Sequence, residues 1–301
     1  MEMKKVLLSV VAGLALAGCA VTSPSTVPRM GQAKVNGVNF PYVEQGVGVP
    51  VVFVHGSMTD YRIWEAQRPA VAGRYRYIAY TQRYFGSEPW TDEGQNFSQK
   101  THAADLAAFI RHLDAGPVHV VAWSYGGSVA TLAAAQHSEL FRSLSLHEPT
   151  IGSLIAGSPE GKAAVADFGK DVAQLRAIAN SGDALRATKR FWEFVTRQPE
   201  GGFEKEPQAL QQITLENVRS VPLTLNAPPQ PIICDMVKAI RAPVLVTIGA
   251  DTRPLWALAG PALKQCVPNG ELASIPNSNH DAIVRNAPDF NRELLGFLAR
   301  H

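Results

Sequence analysis

The stretch Val118-His-Val-Val-Ala-Trp-Ser-Tyr-Gly-Gly127 runs a mostly apolar segment straight into a serine and two glycines, and the small apolar residues 128–135 follow without a gap. An apolar run of that length bounded by a turn signal reads as a buried strand, and the run behind it reads as a helix. The chain leaves no residues for a loop between them, so the turn is tight and Ser124 sits at its apex. A helix that folds back this sharply needs small residues on either side of the serine. Gly126 supplies one, and Ala122 stands where the usual G-x-S-x-G spelling has the other glycine, a replacement of one methyl group. A serine held so presents its hydroxyl at the C-terminal end of the strand. The backbone N–H of the next residue, Tyr125, then points to where a negative oxygen would form. A glycine-rich helix start in any α/β protein has the same composition, so the rest of the chain must separate a reactive serine from a structural one.

The N-terminus carries Lys4 and Lys5, an apolar run from Val6 to Leu16, and small residues before Cys19, which together read as an export signal over residues 1–18. The run is short for a membrane span. Leu16-Ala-Gly-Cys19 resembles the lipobox of bacterial lipoproteins, which implies a lipid-modified Cys19 as the mature N-terminus and a protein anchored to a membrane facing the periplasm. Ala20 after that cysteine resembles the lipoproteins sent on to an outer membrane. The alternative is an ordinary secretory signal and a periplasmic or secreted protein. Residues 19–34, rich in Ser, Thr, Pro and Gly, read as a flexible tether. A formal net charge of +2 over 301 residues offers no basic surface for nucleic acid. Cys234 and Cys266 would meet an oxidising compartment, where they either pair or stay as two buried thiols.

Downstream of the tether, residues 35–46 alternate apolar and polar about Asn36-Gly37, the pattern of an antiparallel pair. Residues 51–54 form a short apolar strand that runs into His55-Gly-Ser57-Met58. Residues 60–72 have helical spacing, 75–80 read as a strand, and 101–113 as an amphipathic helix with His102 and Asp105 near its start, read as helix-terminus residues. After the serine helix, Leu144-Ser-Leu-His-Glu148-Pro149 is a strand ending in a carboxylate. From 150 to 233 strand signals disappear and helical segments alternate with Gly and Pro breaks. The strands resume at residues 243–249 and 270–276, and the last leads through Asn277-Ser-Asn-His280 to a closing helix.

With His55-Gly-Ser57, the Ser124 turn, the long insertion and His280 in this order, the chain resembles the capped α/β-hydrolases from about Val35 to its end. The resemblance implies a mostly parallel central sheet with helices on both faces and a helical cap inserted after the sixth strand. The core would then comprise 35–149 and 234–301, and the cap 150–233. It further implies Ser124 as nucleophile, His280 as general base, and the Ser57 and Tyr125 N–H groups as an oxyanion hole. A hydroxyl attacks poorly at neutral pH unless a base takes its proton, and an imidazole can take and return one. The third member is open between two acids. Family members usually carry an aspartate three positions beyond the glycine of the seventh strand, where this chain has Thr252, with Asp251 one residue early. Some relatives carry a glutamate after the sixth strand, where this chain has Glu148, and Glu148 is the favoured acid. Met58, Trp123 and Trp192 are expected at the substrate, with Phe191 and Phe194 as further candidates for an apolar wall. The implied activity is hydrolysis of small or medium apolar carboxylic esters, lactones among them, with no cofactor and no metal. C–C bond hydrolysis, peroxide chemistry and a non-catalytic binding protein on the same fold are the alternatives.

Overall fold

The computed structural model describes residues 27–90 and 92–301. The export signal and Cys19 lie outside the described residues. Eight strands form one sheet: β1 (Arg29–Val35), β2 (Val38–Gln45), β3 (Pro50–Val54), β4 (Arg76–Tyr80), β5 (Val118–Trp123), β6 (Phe141–His147), β7 (Val244–Gly249) and β8 (Gly270–Ile275). Their order is β1-β2-β4-β3-β5-β6-β7-β8. The β1–β2 and β2–β4 pairs are antiparallel, and the remaining pairs are parallel. The helices are α1 (Arg68–Ala72), α2 (Gln99–His112), α3 (Ser124–Gln136), α4 (Pro159–Asn180), α5 (Ala184–Val195), α6 (Gln208–Glu216), α7 (Ser220–Asn226), α8 (Cys234–Val237), α9 (Pro254–Cys266), α10 (Ala282–Arg285) and α11 (Ala287–Leu298).

All five residues of β3 and all six of β5 are buried, because both faces of the sheet are covered. Val52, Val54, Val120 and Ala122 pack on one side with α2 and α3 residues such as Leu106, Phe109, Val129 and Leu132. Val51, Phe53, Val121 and Trp123 point the other way, toward Trp64, Val71 of α1, and Phe290 and Leu294 of α11. The register Trp123↔His147 ends β5 and β6 level, while β7, paired at His147↔Thr247, runs two residues further to Gly249. The residues that follow β5 and β6, Ser124 and Glu148, therefore emerge side by side.

Two sequence expectations need correction. The expected tether ends too late, since Arg29–Val35 is a full strand paired with β2 from Arg29↔Glu44 to Val35↔Val38. As an edge strand it is exposed over most of its length and lacks the apolar alternation that would have marked it. The helical spacing of residues 60–72 becomes a 3-10 turn, Tyr61–Trp64, followed by the five-residue α1 with Pro69 in its first turn. Proline is tolerated there because that N–H has no intrahelical acceptor.

Between β6 and β7 the chain is helical, with α4 to α7 and short 3-10 turns. Ser158 and Asp183 cap α4 and α5 by accepting from the N–H groups of Gly161 and Arg186. A disulfide joins Cys234 at the start of α8 to Cys266 at the end of α9, with Cα atoms 5.1 Å apart and a sequence separation of 32. In the loop-closure treatment a link of that span stabilises by roughly 3.5 kcal/mol through the unfolded chain. Among the described residues no helix is long and apolar enough to cross a membrane.

Candidate active site

Trp123 ends β5 in extended conformation, and Ser124 opens α3 at φ 55°, in the left-handed region that a non-glycine residue occupies only at a cost. The close approach behind it explains the glycines. A Cβ on Gly126 would lie 2.3 Å from the His55 carbonyl oxygen and 2.8 Å from that of Val54. One on Gly127 would lie 2.8 Å from Cβ of Pro149. Ala122 is fully buried on β5, where its methyl group fits. The first residues of the helical insert are tied to this turn, since the Thr150 N–H donates to the Ser124 carbonyl at 3.2 Å and the Ser128 hydroxyl donates to the Thr150 carbonyl at 2.9 Å.

The loop after β8 brings His280 to the same place. Its Nε2 lies 2.8 Å from Ser124 Oγ and its Nδ1 lies 2.7 Å from Glu148 Oε2. Glu148 follows β6 at φ 43°, its N–H donates to the Thr247 carbonyl at 3.0 Å, and its Oε1 accepts from the Gly249 N–H at 2.8 Å. Burial pushes the Glu148 carboxyl up. The hydrogen bond with His280, the neighbouring His147 and the Gly249 N–H outweigh that, and the net pKa lies below the ordinary glutamate value. An ionised carboxylate can only accept, so Nδ1 carries the imidazole proton and Nε2 is left to accept from the Ser124 hydroxyl. All three residues are buried, with Ser124 the most exposed at 9%.

Asp251, the alternative acid, does not enter this arrangement. It is exposed beyond the end of β7, its N–H donates to the Ser278 carbonyl at 2.9 Å, and its own carbonyl accepts from Arg197 at 2.7 Å. Three other buried histidines have places of their own. The His55 Nε2 accepts from the Gln82 N–H at 3.0 Å while Nδ1 meets the Gly56 carbonyl at 2.8 Å, so the ring is neutral, and burial lowers its pKa to about 4. Burial likewise lowers His147 to about 4 and His102 to about 3. The expectation that His102 and Asp105 are helix-end residues misses their burial. His102 Nδ1 lies 2.7 Å from the Tyr125 hydroxyl, and Asp105 pairs with Arg83 at 2.7 Å and accepts from Asn36 at 2.9 Å.

A cavity of about 420 Å³ opens over Ser124 and His280. Ser57, Met58, Trp123 and Tyr125 line it, and Met58 sits at φ 61°. Tyr125 is the second residue of α3, in the first turn, where backbone N–H groups have no intrahelical acceptor. Trp192 does not reach the cavity. It is fully buried, its Nε1 donates to Glu206 at 3.1 Å, and it touches Trp123 edge-on with centroids 6.4 Å apart. Its neighbour Phe191, about 100° round the helix, lines the cavity instead. Phe194 is turned aside against Phe168 and under the Arg253 guanidinium, 3.9 Å from its ring centroid.

Sequence reasoning overlooked Trp256. Its indole stacks on the His280 imidazole, with centroids 3.7 Å apart and planes 15° from parallel. Phe168 of α4 meets Trp256 edge-on, with centroids 5.5 Å apart. The only signal was a tryptophan in the first turn of the helix after β7. Trp123 completes the surround, since its Nε1 donates to the His280 carbonyl at 2.7 Å.

The Alpha/beta hydrolase family model matches residues 51–293. The chain is 28% identical over 280 residues to the non-heme chloroperoxidase CPO-A1 of Kitasatospora aureofaciens, covering 87% of this chain and 97% of that protein. It is 24% identical over 278 residues to the 2-hydroxy-6-oxo-6-(2'-aminophenyl)hexa-2,4-dienoic acid hydrolase of Metapseudomonas resinovorans, covering 88% and 89%. Its fold superposes on the enol-lactonase from Burkholderia xenovorans LB400 with a TM-score of 0.74 at 17% identity, over 89% of this chain and 100% of that one. The chain is a member of the Alpha/beta hydrolase family.

Proposed function

We propose that this protein is a serine hydrolase of small or medium apolar carboxylic esters, lactones included, acting through an acyl-enzyme. The observation that carries the proposal is the unbroken hydrogen-bonded series Ser124–His280–Glu148 beneath a mostly apolar cavity. Ser124 Oγ attacks the ester carbonyl carbon as its proton passes to His280 Nε2. The carbonyl oxygen becomes an oxyanion that accepts from the Ser57 and Tyr125 N–H groups. Glu148 stabilises the imidazolium without itself taking the proton. Collapse expels the alcohol, which leaves with the proton from Nε2. A water then gives its proton to the same nitrogen, attacks the acyl carbon and restores Ser124. Nothing in this cycle requires a metal or a cofactor.

A carboxylate nucleophile, which dehalogenase and epoxide hydrolase chemistry on this fold would need, is not what stands at position 124. The names of the two curated relatives favour one second reading, C–C bond hydrolysis or peroxide chemistry with the same three residues. The test is labelling with a fluorophosphonate probe together with turnover of a panel of p-nitrophenyl esters. Labelling that disappears in Ser124→Ala, with ester turnover, supports the first reading. Labelling without turnover of any ester rejects it in favour of the second, and absence of both points to a binding protein. We further propose export and membrane anchoring through a lipidated Cys19, for which Cys19→Ser should move the protein out of the membrane fraction. Unchanged partitioning would refute the anchor.

A further inference from the structure

The cavity is apolar over most of its wall but not along its whole length. One face of α4 lines it through Val165, Phe168, Gly169, Val172 and finally Arg176, a spacing that keeps these positions on one side of the helix. Phe168 marks the reacting end, because it abuts the Trp256 ring that stacks on His280. Arg176 lies eight residues further along, or roughly 12 Å at the helical rise per residue. Arg176 is the one lysine or arginine among the described residues that line the cavity, and no carboxylate lines it.

The guanidinium is held but not used up. Its Nε donates to the carbonyl of Leu225, itself a lining residue of α7, at 2.7 Å. The two terminal nitrogens have no hydrogen bond or ion pair among the described residues. Other arginines at the insert are differently placed. Arg190 pairs with Glu193 and Arg253 with Asp171. Arg176 is exposed, so the fork stands at the outer end of the cavity with one nitrogen anchored and two open to solvent, where it suits a carboxylate better than any neutral group.

We propose that the substrate is an ester or lactone carrying a free carboxylate remote from the scissile bond, with its apolar middle along α4 and its anionic end on Arg176. This rests on the hydrolase reading given above and names its substrate class. The carboxylate can belong to the acyl chain or to the alcohol, and the same test separates them.

The first arm compares p-nitrophenyl monoesters of dicarboxylic acids from adipate to sebacate with p-nitrophenyl esters of neutral acids of matching length. The second uses neutral acyl esters of hydroxybenzoate, in which the carboxylate is on the leaving group. In the wild-type protein at least one anionic ester should exceed its neutral counterpart about tenfold or more in kcat/KM. Arg176→Gln should abolish that preference through a raised KM for anionic esters, with the ranking among neutral esters kept, and Arg176→Lys should restore part of it. The arm in which the preference appears identifies the source of the carboxylate. An equal loss on neutral and anionic esters would mean that Arg176 only staples α4 to α7, and would overturn the inference. So would a preference that is absent, or that survives in Arg176→Gln. Failure to turn over any ester, neutral ones included, would instead reject the hydrolase reading and this inference with it.

Discussion

The strand ends and the helical insert above them contribute to the cavity in different ways. At the strand ends the backbone itself is committed. Ser124, Glu148 and Met58 occupy left-handed conformations, and Gly126 leaves no room for a methyl group. In the insert the cavity wall is built largely from side chains on the regular helices α4 and α5, such as Val165, Phe168, Val172 and Phe191, and the one non-glycine residue there at positive φ, Arg197, is not part of the lining. Reacting atoms need placement within a fraction of an ångström, whereas an apolar wall needs only volume, so strain is found where the first demand applies. The insert should therefore accept substitution that the strand ends refuse.

The largest test of that contrast concerns the acid. Glu148→Gln should lower kcat by roughly 10³–10⁴, because the amide no longer selects the tautomer that leaves Nε2 free, while Asp251→Asn should stay within about twofold. Steady-state ester hydrolysis by both variants checks this, and the reverse order would remove Glu148 from the mechanism. Next come two adjacent aromatics of α5. Trp192→Ala should cost about 3–5 kcal/mol of stability by urea unfolding, since it empties a fully buried site. Phe191→Ala should cost less stability and instead alter the ranking of acyl chain lengths.

A third test uses pH. All eight histidines lie outside residues 150–233. The buried rings of His55, His102, His119 and His147 have pKa values lowered by burial to about 4, 3, 4 and 4. Between the ordinary value near 6.5 and those lowered values the unfolded chain binds protons that the folded one does not. Stability is therefore full above about pH 6.5 and falls as the pH drops toward 4, by up to ~1.4 kcal/mol per pH unit for each ring. Urea midpoints at pH 7.5, 6 and 5 should show this. A flat profile would mean that these rings are protonated without unfolding. The smallest effect is a gain. Gly169→Ala in α4, where an added Cβ meets nothing within 4 Å, should raise stability by up to about 1 kcal/mol. Gly126→Ala should lower it by roughly 2 kcal/mol or more.

The sequence was legible where local chemistry and spatial role coincide. The apolar runs of β3, β5 and β7, the tight turn at Ser124 and the histidine after β8 each carry their own signal. The choice between Glu148 and Asp251 depends on β6 ending level with β5 and on the Gly249 N–H of the longer β7 that meets the carboxylate, neither of which is a property of adjacent residues. Trp192 was placed at the substrate ahead of Phe191 because a strongly aromatic turn of helix does not reveal which way it faces until its neighbours are placed. Arg29–Val35 escaped because an exposed edge strand has little need of apolar residues. Trp256 carried only the weak signal of a tryptophan in the first turn of α9, since a stacking partner for an imidazole can come from any element that passes close enough.

That indole has a consequence for the base. A half-turn of the imidazole about its Cβ–Cγ bond would exchange its two nitrogens and sever both links at once, and the flat face of Trp256 at 3.7 Å leaves no free volume on that side for the swing. The ring is thus held in place by folding, so an arriving substrate meets a proton acceptor that is already aimed and has little rotational freedom left to surrender at each turnover.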